Sequence, residues 1–109
     1  MITQALRLSR KDAEALKNGK SVFGTLLSLR YTPSTTCGYS VTVSKKVSKD
    51  AVGRNRIRRR TYAALRSIIK DEQISALIMI FPKSSVRTIP FATLESDLRD
   101  VMRKAHLIS

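Results

Sequence analysis

The chain has 109 residues, 42% hydrophobic and 27% charged, enough for one domain whose core needs neither a disulfide nor a structural metal. Its 21 Lys and Arg against 8 Asp and Glu leave a formal charge of +13, which calls for an anionic partner, with nucleic acid ahead of a membrane surface. The single cysteine, Cys37, excludes an internal disulfide and a multi-cysteine zinc site.

Residues 1–12 hold no apolar stretch of signal-peptide length, so the expected location is the cytoplasm. Ser9 to Asn18 then reads as a short helix, with Ser9 as N-cap, Asp12 three residues on and Gly19 as the stop. From Val22 to Tyr31 the pattern suits a strand with Phe23, Leu27, Leu29 and Tyr31 on one face and Leu26 out of phase. A turn cluster, Thr32 to Gly38, separates it from a second strand, Tyr39 to Ser44, in which apolar and hydroxyl residues alternate. Two strands flanking one turn predict an antiparallel hairpin. From Ala51 to Lys70 the period becomes helical: Ile57, Thr61, Ala64, Leu65, Ile68 and Ile69 form one stripe, opposite Arg56, Arg59, Arg60, Arg66 and Lys70.

The run Ala76 to Phe81, closed by Pro82 to Ser85, is the longest wholly apolar stretch. It reads as a fully buried strand, and its six residues fall far short of the roughly 20 that span a bilayer. Phe91 to Ala105 is a last amphipathic helix with Phe91, Leu94, Leu98, Val101 and Met102 at helical spacing. The order is αββαβα, so the expected class is α+β: one domain over residues 1–109, with a small mixed sheet packed with helices. Phe23, Phe81 and Phe91 are expected in its core.

Charge is concentrated. Residues 44–60 hold eight basic side chains (Lys45, Lys46, Lys49, Arg54, Arg56, Arg58, Arg59, Arg60) and one acid, Asp50, so more than half of the excess sits in 17 residues. A merely solvated helix face would intersperse acids at i±4, and between Ala51 and Lys70 there are none. Forked guanidinium donors and mobile ammonium groups on a loop and helix start suit a phosphate backbone, and Asn55 adds an amide. Catalytic chemistry finds little support. His106 is the only histidine and Cys37 has none near it in sequence, while Glu95, Asp97 and Asp100 lie among Arg99, Arg103 and Lys104, as exposed ion pairs do. No catalytic or metal-binding residue is expected in the chain. Tyr31 and Tyr39 flank the turn, where they either stack on unpaired bases or pack at the rim of the core.

The stretch Val43 to Arg60, centred on Arg54-Asn55-Arg56, resembles the signature segment of the bacterial ribonuclease P protein component. Leu6-Arg7-Leu8, Gly38-Tyr39, Ile78 to Pro82 and Phe91 to Leu94 are similar to other features of that family. Three places depart from its pattern. Ala13, Ala15 and Leu16 occupy a first-helix stretch where the family carries aromatics, and Ser48 and Gly53 stand where glycine and a larger apolar residue are common.

The resemblance implies a fold like the second domain of ribosomal protein S5, with a left-handed strand–helix–strand crossover. It also implies a protein subunit that binds a catalytic RNA and the 5′ leader of precursor tRNA, as a monomer in a 1:1 holoenzyme and away from membranes. Catalysis and its Mg²⁺ would belong to the RNA. The RNA-docking residues would be Lys45, Lys46, Lys49, Arg54, Asn55, Arg56, Arg58, Arg59 and Arg60. The leader would meet Lys11, Leu16, Lys17, Arg30, Tyr31 and Tyr39. The competing function is a structural RNA-binding protein of ribosomal type with the same fold, which the order Ser44-Lys45-Lys46 followed by Arg54-Asn55-Arg56 disfavours.

Overall fold

The computed structural model of the chain describes residues 16–17, 19–33, 38–70, 74, 76–83, 86 and 89–108. In chain order these form strands β1 (Lys20–Phe23), β2 (Leu27–Pro33) and β3 (Gly38–Val41), helix α1 (Ala51–Ile69), strand β4 (Ala76–Pro82) and helix α2 (Phe91–Lys104). The class is α+β, as expected, but three strands rather than two precede the basic helix. The helix expected over 9–18 lies outside the described residues except for Leu16, which is buried, and Lys17, which is exposed.

The expected hairpin between Val22–Tyr31 and Tyr39–Ser44 is corrected in two ways. The first stretch is itself a hairpin, β1 pairing antiparallel with β2 from Lys20↔Tyr31 to Phe23↔Ser28. It folds back at Gly24-Thr25-Leu26, where the Gly24 amide donates to the Leu27 carbonyl at 2.9 Å. Leu26, the residue out of phase with the alternation, marks that turn. Gly24 is required there because a Cβ would sit 2.5 Å from Val101 Cγ2 of α2.

The second correction concerns strand order, which is β1-β2-β4-β3. β4 lies between the strands expected to be neighbours, antiparallel to β2 and parallel to β3. The physical reason is composition. Ala76-Leu77-Ile78-Met79-Ile80-Phe81 carries no polar residue, so it takes a central place, and the shorter strands take the edges.

The sheet has one covered and one partly open face. Leu27, Leu29, Ile78, Ile80, Tyr39 and Val41 share the covered face and belong to one core with Ile57, Ala64, Leu65 and Ile68 of α1 and Leu94, Leu98, Val101 and Met102 of α2. α2 packs on β1 and β2, α1 on β3, and the helices pack on each other. The predicted stripe of α1 is thus buried except for Ile69, which is half-buried, and it includes Thr61, whose hydroxyl donates to the Ile57 carbonyl at 2.8 Å. On the other face the register aligns Phe23, Ser28 and Phe81 in one row and Ser21, Arg30 and Met79 in the next. Phe23 is 71% exposed and Phe91 40%, so neither joins the core as expected, and Phe81 is only half-buried. The hairpin turn is the cause for Phe23. It inserts three residues between the strands and puts Phe23 opposite Ser28, on the face away from Leu27 and Leu29.

Candidate nucleic-acid interface

The basic segment is a folded knot leading into a helix. Ser44 O accepts from the amides of Val47 and Ser48 at 3.1 and 3.3 Å, which closes a turn with Lys45 and Lys46 exposed on it. Asp50 is the N-cap of α1, its carboxylate accepting from the Gly53 amide at 2.7 Å and from the Ser48 hydroxyl at 3.5 Å. Arg54 reaches back, and its Nη1 donates to the carbonyls of Ser48 at 3.1 Å and Lys49 at 2.8 Å.

Ser48 and Gly53, two departures from the family pattern, complement each other here. A Cβ on Gly53 would overlap Ser48 Oγ and lie 2.6 Å from Asp50 Oδ1, so the serine fills the space that the glycine leaves. Gly53→Ala is therefore expected to destabilise the fold by about 1–3 kcal/mol. Adding Ser48→Gly should recover the part owed to the serine in urea unfolding, with the approach to Asp50 remaining, and two losses that simply add would contradict the pairing.

The nine expected docking residues divide into two groups. Arg54 is held by the loop, Arg58 Nη1 donates to Asn55 Oδ1 at 2.7 Å, and Arg60 donates to the carbonyls of Val86 at 3.2 Å and Ile89 at 2.6 Å. These three arginines and Asn55 have internal partners, and Arg60 ties α1 to the chain entering α2. Lys45, Lys46, Lys49, Arg56 and Arg59 are exposed and form no ion pair among the described residues. Beside them Gly53, Arg56, Ile57 and Arg60 line a hollow of about 180 Å³. The arrangement is a hydrogen-bonded basic ridge with five exposed cations, suited to phosphates.

Of the residues expected at the leader, Arg30, Tyr31 and Tyr39 are not brought together on one face. Arg30 lies on the open face, its Nε donating to Ser21 Oγ at 3.4 Å. Tyr31, the next residue, faces the other way and packs against the core, and Tyr39 is 3% exposed within it. Leu16 is 1% exposed, Lys17 is exposed, and Lys11 lies outside the described residues. The rings on the open face are Phe23 and Phe81, which sequence reasoning assigned to the core. Gly24 and the out-of-phase Leu26 are the available signal for Phe23.

His106 is exposed, with φ 59°, in the left-handed position that closes α2, where its amide donates to Arg103 O and that of Leu107 to Met102 O, both at 3.0 Å. Cys37 lies outside the described residues. Glu95 pairs with Arg99 at 3.7 Å and Asp100 with Arg103 at 3.6 Å, while Asp97 accepts the Leu26 amide at 3.1 Å instead. Among the described residues no three His, Cys, Asp or Glu side chains gather where they could hold a metal ion, and no helix is long and apolar enough to cross a membrane.

The family model for ribonuclease P matches residues 3–106 of the chain. A ribonuclease P protein component from Pseudanabaena sp. (strain PCC 6903) is 29% identical over 113 residues, covering 99% of this chain and 97% of that protein. Another, from Thermus scotoductus, is 32% identical over 96 residues, covering 87% of this chain and 56% of its own length. Among solved structures, the RNase P protein from Staphylococcus aureus superposes with a TM-score of 0.78 at 19% identity, covering 97% of this chain and 100% of that one. The RNase P protein from Thermotoga maritima gives 0.76 at 20% identity, covering 90% and 96%. At these identities the two structures speak to the fold, and the fold is the same.

Proposed function

We propose that this chain, which belongs to the bacterial ribonuclease P protein family, docks on the enzyme's RNA subunit through α1 and its entry loop and holds the 5′ leader of precursor tRNA on the open face of its sheet. The family is the protein subunit of a ribonucleoprotein endoribonuclease of tRNA processing, and its partner is RNA. The observation that carries the docking assignment is the group of five exposed cations Lys45, Lys46, Lys49, Arg56 and Arg59 on α1 and its entry loop, none in an ion pair among the described residues.

Docking needs charge in a fixed place. The internal hydrogen bonds of Arg54, Arg58 and Arg60 hold the ridge, and the five remaining cations neutralise phosphates where RNA strands crowd. Lower phosphate repulsion would let the RNA hold the Mg²⁺ that its own chemistry needs. In this reading the RNA performs the hydrolysis, and one protein serves one RNA.

The leader is single-stranded, so it suits a half-open sheet face with a cation and flat rings. Arg30 supplies the cation. In the reconstituted holoenzyme, Arg30→Ala is expected to weaken binding of leader-bearing precursor by about five- to tenfold and leave mature tRNA unchanged. Filter binding of both RNAs tests this. An equal fall for mature tRNA would place Arg30 on the tRNA body or the RNA subunit and sink the leader assignment.

A further inference from the structure

We infer that Phe23 is the ring on which one unpaired base of the leader stacks. The inference rests on the assignment of the leader to the open sheet face and names the residue that reads it.

Phe23 is 71% exposed on an edge strand of a small protein, where a ring in water forfeits the burial that a core position gives. A single exposed apolar residue is ordinary, but this one is held unusually firmly. The turn that follows it is tied from two sides. Asp97 Oδ2 of α2 accepts the Leu26 amide at 3.1 Å, and Lys83 Nζ donates to the Gly24 carbonyl at 2.7 Å. The Lys83 amide adds a bond to Leu26 O at 2.9 Å, and Gly24 is pressed against Val101. Phe23 therefore projects from a fixed hairpin end, and stacking on it costs little ordering entropy.

The surroundings select the ligand. One row across the open face runs Phe23, Ser28, Phe81 and the next runs Ser21, Arg30, Met79, with Ser40 beside Met79 on β3. No acidic residue lies in these rows. At the far end Leu77 and Gly38 are buried, so the open part of the face is the part that carries Phe23. A ring for a base, a guanidinium for a phosphate and hydroxyls for a ribose match a nucleotide of an RNA single strand.

Every base has a stacking face, so the contact tolerates sequence.

The test uses holoenzyme reconstituted with the RNA subunit and precursor tRNAs carrying one 5-iodouridine at successive leader positions. Irradiation is expected to join one leader position to Phe23, mapped by mass spectrometry of the peptides. Phe23→Leu, which keeps apolar bulk without a ring, should abolish that crosslink and weaken precursor binding about tenfold, with mature tRNA unchanged. Phe23→Tyr should restore both. An abasic residue at the same leader position should cost wild type the same factor and add nothing to Phe23→Leu. Crosslinks to peptides bearing Arg30, Met79 or Phe81 but none to Phe23, with Phe23→Leu binding as wild type does, would leave the leader on this face and overturn the role of Phe23. Crosslinks confined to other parts of the protein would overturn both.

Discussion

Replacing Lys45, Lys46, Lys49, Arg56 and Arg59 together with alanine is expected to weaken binding to the RNA subunit on the order of a thousandfold near physiological salt. The same change should flatten the plot of log affinity against log salt by about four to five units, roughly one per lost phosphate contact. These are the exposed side chains of the segment, and none forms an ion pair among the described residues. They contribute nothing to the core, and like charges at i,i+3 and i,i+4 on α1 repel, so removing them should hold or raise the unfolding temperature. Titration across a salt series, with circular dichroism as a control, reads both effects. An unchanged slope with an intact fold would mean that the ridge is not the docking surface.

Arg60→Ala should do the opposite. Its guanidinium donates to Val86 O at 3.2 Å and Ile89 O at 2.6 Å, both in partly buried surroundings. Loss of two charge-assisted hydrogen bonds, with two carbonyls left behind, costs about 2–4 kcal/mol of stability. Arg60→Lys should recover little of it, since a point charge on a flexible stem does not present a fork to two acceptors. The salt slope should move by less than about one unit, because Arg60 serves the fold first. Urea unfolding read beside the salt series separates the two. A variant with wild-type stability and a much flatter slope would place Arg60 among the phosphate contacts instead.

These contrasting expectations show where sequence reasoning stops. The helical stripe from Ile57 to Ile68 was readable because a 3.6-residue period leaves a local trace, and the helix ends at Ile69, one residue short of the expected Lys70. The apolar run of β4 was readable because six consecutive apolar residues are also a local signal. Its place between β2 and β3 was not, since pairing partners distant in sequence leave no mark in either strand. The β1–β2 hairpin hid behind a chance match of parity: Phe23, Leu27, Leu29 and Tyr31 alternate as if on one strand, and only the turn at Gly24–Leu26 breaks the phase.

At the candidate site, composition and spacing single out nine polar residues but cannot sort them. The groups that hold Arg54 and Arg60 are backbone carbonyls of Ser48, Lys49, Val86 and Ile89, and a carbonyl has no sequence signature. Phe23 is in solvent rather than in the expected core for the same reason as the hairpin, and of the two places open to Tyr39 the structure has the core.

The most direct measurement of the central claim is cleavage of a precursor tRNA by a bacterial ribonuclease P RNA at low magnesium, with and without this protein. The account predicts slow cleavage by the RNA alone and strong stimulation by the wild-type protein. It predicts no stimulation by the variant lacking Lys45, Lys46, Lys49, Arg56 and Arg59, and full stimulation by His106→Ala and Cys37→Ser. Cleavage by the protein without RNA, lost in His106→Ala, would contradict it.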